Sequence, residues 1–162
     1  MTIQDLGSVG ELIAAIATIA TLAYLAIQIR QSTTSTRTAT YQAIVSTSIE
    51  LGNTFSRDGG FAELYVRGLS DLASLSPAER VRLHGHVASV LRTYELVFHQ
   101  FEHGAIEAAL WHGWRLNMIR FLRFDAYRSV WEATQDEYPP AFRAEVERAL
   151  AGDATRSTDT AP

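Results

Sequence analysis
The sequence predicts an all-α protein: an N-terminal transmembrane helix continuing into a stalk, followed by a small cytoplasmic helical bundle. Three observations predict it. The run from Leu12 to Ile29, LIAAIATIATLAYLAIQI, carries no charge, no Gly and no Pro. Downstream of it, apolar residues recur at the i, i+3 and i+4 intervals of amphipathic helices. No stretch alternates with period two, and neither a Gly-rich phosphate loop nor an internal repeat is present.

As a helix, the stretch from Leu12 to Ile29 would extend about 27 Å, close to the roughly 30 Å of a bilayer core. Its large aliphatics, Leu12, Ile13, Ile16, Ile19, Leu22, Leu25, Ile27 and Ile29, favour insertion by about 2 to 5 kcal/mol together, against smaller costs from Thr18, Thr21 and Gln28. The large residues at 13, 16, 19, 22 and 25 wind round the helix, so no polar face is left. A helix apolar all round is either a membrane span or the central helix of a large core. Beside the large row runs a small one, Ala14, Ala17, Ala20, Ala23 and Ala26, a shallow groove that another helix can approach closely.

The start of the chain carries Asp5 and Glu11 but no Lys or Arg, unlike a cleaved signal peptide. Arg30 and Arg37 follow the span, so the positive-inside bias predicts an outside N-terminus and a cytoplasmic C-terminal domain at a bacterial inner membrane. Residues 1–30 are thus expected to be a short N-terminus and transmembrane helix, and residues 31–58 a helical stalk. QSTTSTRTAT within that stalk is rich in Ser and Thr, which compete for backbone hydrogen bonds, yet contains no Gly or Pro. Helix therefore continues to the break at Asp58-Gly59-Gly60.

Residues 59–151 form the expected bundle. A short helix covers Phe61 to Gly68. Ser76-Pro77-Ala78-Glu79 is a capping box with Pro at the first helical position, and Gly104 is a stop for the helix it opens. Leu83, Val87, Val90, Leu91, Tyr94, Val97, Phe98 and Phe101 give that helix its stripe. The next, about Ile106 to Leu122, is expected to bury Leu110, Trp114, Met118 and Phe121. Tyr127, Val130, Trp131 and Thr134 mark a further piece, which Pro139-Pro140 breaks; Phe142, Val146 and Leu150 mark the last. Residues 152–162, GDATRSTDTAP, have the composition of a disordered tail.

GELIAAIATIATLAYLAIQIRQ, then Thr40-Tyr41-Gln42-Ala43, Tyr94-Glu95 and Trp111-x-Gly113-Trp114, resemble a group of small bacterial single-span membrane proteins with an "LIYLAIQIRQNT"-like N-terminal helix. The resemblance runs from Gly7 to about Leu150, with Ser32-Thr33 where Asn-Thr is usual. It implies a bacterial inner-membrane protein; the group has no established activity to carry over.

A chain of 162 residues fits one domain, and a net charge of −4 provides no global basic field for nucleic acid. With no cysteine, disulfides, thiolate metal sites and a Cys nucleophile are excluded. No Ser lies in a Gly-x-Ser-x-Gly turn. Glu95, His99 and His103 are spaced four apart with Glu102 beside them, the sharpest candidates for metal ligands. Carboxylate-bridged helical sites, however, need a Glu-x-x-His pair on each of two helices, which is absent. A solvated or partner-facing flank with Glu–His and Arg–Glu pairing is the favoured alternative. Arg92 and Glu95 are the candidates for an internal polar pair fixing register between helices. His112 is expected to be exposed, and His84 and His86 to stand apart. Arg115, Arg120, Arg123 and Arg128 are read as the solvated side of an amphipathic helix that could face anionic lipid. No cofactor is implied. The expected mode of action is binding: to membrane lipid through the span, and to further copies of the chain or another membrane protein. A metal-dependent enzyme or sensor and a bundle burying its N-terminal helix are the alternatives.

Overall fold
The computed structural model describes the backbone of residues 3–158 and the side chains of residues 16–151. Within them the chain is all-α, with six helices and no strand. These are α1 (Ile3–Arg57), α2 (Gly59–Ser70), α3 (Pro77–Glu102), α4 (Ala108–Leu122), α5 (Asp125–Thr134) and α6 (Pro140–Thr158). Two 3₁₀ turns, Leu72–Ser74 and Gln135–Glu137, join neighbours. The chain divides into two compact units, Met1–Ala39 and Thr40–Pro162.

In the first unit the backbone is helical from Ile3 onward, and every side chain described up to residue 39 is exposed. The Thr-rich composition does not break the helix because its hydroxyls bond back to the turn before. Thr33 donates to the Ile29 carbonyl at 2.9 Å, Thr34 to Arg30 at 3.1 Å, Thr36 to Ser32 at 3.0 Å and Thr38 to Thr34 at 3.1 Å. Further up, Thr21 donates to the Ala17 carbonyl at 2.8 Å and the Gln28 amide to the Tyr24 hydroxyl at 2.8 Å. Among the described residues no helix is long and apolar enough to cross a membrane. Leu12, Ile13, Ala14 and Ala15 open the expected span and lie outside the residues whose side chains are described.

The second unit takes in the C-terminal part of α1, including residues 40–57 of the expected stalk. Ile44 is buried there and Phe55 packs on the core. Asp58 ends α1 and caps α2, its Oδ1 accepting from the Phe61 N–H at 3.1 Å. Gly68, expected to close α2, lies inside it. A Cβ there would sit 2.5 Å from Leu83 Cδ2 and 2.9 Å from Leu75 Cδ1, so glycine lets α3 approach rather than ending the helix.

The capping box of α3 forms as the sequence predicts: Glu79 N–H donates to Ser76 Oγ at 3.3 Å and Ser76 N–H to Glu79 Oε2 at 2.8 Å. The backbone N–H of Ser76 and the Ser76 hydroxyl, followed by Arg67, hold the Glu79 carboxyl below its ordinary range. Gly104 stops α3 in the left-handed region at φ 68°, with the Ala105 N–H donating to the Gln100 carbonyl at 2.8 Å. Leu83, Val87, Leu91, Tyr94, Val97 and Phe98 form the buried stripe of α3, which packs on α2, α4, α5 and α6.

Helix α4 faces the core through Trp111, Met118, Ile119 and Leu122, with Trp114 and Phe121 of the expected set packed at its edge. Of that set only Met118 is fully buried; Leu110 is exposed, and Trp114 and Phe121 are half-buried. Tyr127, Val130 and Trp131 of α5 and Phe142 and Val146 of α6 are buried as predicted, Leu150 packs against the core, and Ala149 is buried beside it. The tail expected at 152–162 falls outside the described side chains, and α6 runs to Thr158.

Candidate functional site
The residues singled out from the sequence line a groove of about 370 Å³ between α3 and the start of α6. Leu96, Phe98, Pro139 and Phe142 contribute apolar surface, and Arg92, Glu95, His99, Glu102 and His103 contribute the polar part. The stripe of α3 places this: residues three and four apart stand above one another, so 92, 95, 99 and 103 form one flank beside the buried face.

His99 and His103 lie ring on ring, centroids 4.1 Å apart and planes 27° apart. The Nδ1–H of His103 donates to the His99 carbonyl at 2.8 Å. That nitrogen is thereby committed to the helix terminus. Among the described residues no three His, Asp or Glu side chains come together in a way that could hold a metal ion. The spacing that suggested Glu95, His99, Glu102 and His103 as ligands therefore sets residues side by side without making them converge.

Arg92 and Glu95 do pair, at 2.9 Å, but not as an internal bridge between helices. Both sit on α3, and the Arg92 side chain is 44% exposed. The crossing contact comes from elsewhere: Arg92 reaches Glu137 at 3.0 Å and lies 4.0 Å over the ring of Tyr138. The hydrogen bond that Arg92 donates to the Glu95 carboxylate raises the Arg92 pKa above its ordinary value.

The internal ion pair that sequence reasoning missed is Arg115 with Glu145. Arg115 Nε donates to Glu145 Oε1 at 2.7 Å, and Arg148 reaches the other oxygen at 2.8 Å. The Glu145 side chain is only 8% exposed, so its two oxygens are satisfied by two guanidinium groups and α4 is tied to α6. No local spacing joins positions 115 and 145. The only hint was an Arg among the core-facing positions of α4.

A second cavity, of about 240 Å³ and open on one side, is lined by residues of the Thr40–Pro162 unit. Rings from five helices, α1 to α5, meet at it. Phe55 is edge-on to Tyr65 at 4.8 Å and to His86 at 5.1 Å, and Tyr94 is edge-on to Trp114 at 6.0 Å. The Tyr65 and Tyr127 hydroxyls are 2.9 Å apart, and the Tyr94 hydroxyl donates to Asn117 Oδ1 at 2.5 Å. Burial lowers the His86 pKa, favouring the neutral imidazole. His112 is exposed, as expected, and so is His84. No protein-family model, curated protein or solved structure matches the chain.

Proposed function
We propose that the stretch from Leu12 to Ile29 is a single membrane span and that the chain acts by binding, to copies of itself or to another membrane protein. One observation carries this: Ile16, Ile19, Leu22, Leu25, Ile27 and Ile29 are each between 46% and 67% exposed. A contiguous row of large aliphatics left in water is costly, and lipid is the surrounding that removes the cost along the whole row. The back-bonded Thr21 and the Gln28–Tyr24 pair support the same surrounding, since backbone and side-chain polar groups in a bilayer need partners within the protein.

Self-association would use the small row. Ala17, Ala20, Ala23 and Ala26 are exposed, while Ala14 lies outside the described side chains. Arg30 and Arg37, both exposed, favour a cytoplasmic location for the part that follows and an outside N-terminus, in keeping with the resemblance to bacterial inner-membrane proteins.

Expression of the full chain in bacteria, followed by carbonate and urea washing of the membranes, tests the span. Retention in the washed membrane is expected. Recovery of folded protein in the supernatant would sink the span together with its orientation. Crosslinking in gentle detergent then tests association: the wild type should give oligomers that Ala20→Leu diminishes, and a purely monomeric wild type would leave only the heterologous partner.

A further inference from the structure
We infer that the cavity between Phe55, Tyr65, His86, Trp114 and Asn117 is a binding site for a small, neutral, planar aromatic molecule bearing a ring carbonyl. Size is the first argument. An apolar cavity of about 150 Å³ is enough to hold benzene, and this one, at about 240 Å³, has room for a fused two-ring compound.

Charge is the second. Among the described residues that line the cavity there is no Arg, Lys, Asp or Glu, so nothing compensates an ionised ligand. His86 adds none, because burial favours its neutral form. The walls present ring faces and edges from Phe55, Tyr94 and Trp114, which favour a flat, polarisable occupant over an aliphatic one.

Hydrogen bonding is the third and selects the carbonyl. Asn117 spends its oxygen on the Tyr94 hydroxyl, which leaves its amide N–H donors for another partner. In the Tyr65–Tyr127 pair one hydroxyl donates to the other, and the accepting one keeps its own proton to give. The Asn117 amide and the tyrosine pair thus bring N–H and O–H donors to the lining, and a carbonyl oxygen takes them.

Coumarin, a neutral fused-ring lactone, is the probe. Equilibrium dialysis of the full chain in detergent, against matched micelles without protein, should show one saturable site with a Kd between about 10 μM and 1 mM, as expected for a ligand of this size. Asn117→Asp keeps an acceptor for Tyr94 but loses the amide donors, and should weaken binding at least tenfold. Gly52→Leu adds a side chain on the α1 wall, where a Cβ meets nothing within 4 Å, and should abolish binding while the thermal melt stays cooperative. Absence of saturable binding up to the solubility limit overturns the site, as does binding that both variants leave unchanged. Loss in Gly52→Leu with none in Asn117→Asp overturns the carbonyl assignment.

Discussion

Ile19 and Leu91 are both large aliphatics in the middle of long helices, yet Ile19 is 67% exposed and Leu91 is fully buried. Their neighbours explain the difference. Around Ile19 the large residues recur every third position and drift round the helix, so no single face collects them. Around Leu91 they alternate between three and four, matching the helical repeat, and the stripe they make is covered by four other helices. Apolar content thus says how much surface asks to be hidden, and periodicity says whether a single domain can hide it.

The contrast is broken most forcefully at Leu91. Leu91→Ala should cost about 2–5 kcal/mol, read from urea unfolding in detergent, because the closed stripe cannot collapse into the vacated space. A cost under 1 kcal/mol would mean the stripe is loosely packed. Next comes Glu145→Ala, which strands the Arg115 guanidinium between α4 and α6 and should cost about 1.5–3 kcal/mol. Arg115→Met in the same background should recover part of that loss.

A smaller effect is expected from pH. His86 has a lower pKa in the fold than the ordinary 6.5, so the unfolded chain takes up a proton that the folded one resists. Its contribution to stability is complete above about 6.5 and is lost as pH falls through the lower folded value. Replacement by Phe should flatten that part of the unfolding profile between pH 7.5 and 5.5; an unchanged slope would assign it to other groups. Smallest of all is Ile19→Ala, which should leave bundle stability within about 0.5 kcal/mol. A larger shift would show that the exposed row has a partner within the chain.

Much of the bundle was legible because its signals are local. Ser76 with Glu79, Gly104 after α3 and Asp58 before α2 each act within one turn, and each sits where the sequence placed it. The face of α4 was misjudged for a reason of the opposite kind. Arg115 lies among the positions that face the core, so spacing alone made the set Leu110, Trp114, Met118 and Phe121 look more apolar. Only its partner on α6, thirty positions away, makes an Arg acceptable there. Gly68 misled similarly: glycine inside α2 answers to Leu75 and Leu83, which arrive from the following segments. For the groove, the shared flank of Glu95, His99 and His103 could be read from the spacing, but the stacking of the two imidazoles and the grip of Glu137 on Arg92 could not. The cavity residues Tyr65, Asn117 and Tyr127 carry no motif at all and are brought together only by packing.

The clustered tyrosines also give the fold an optical record of its own opening. Burial raises the hydroxyl pKa of Tyr65, Tyr94 and Tyr127 above the ordinary value of 10.0, so each keeps its proton while the bundle is closed. In alkaline solution the unfolded chain loses those protons first, and stability falls as pH climbs past that value. Tyrosinate absorbance from these three rings should therefore arrive together with the loss of helical signal.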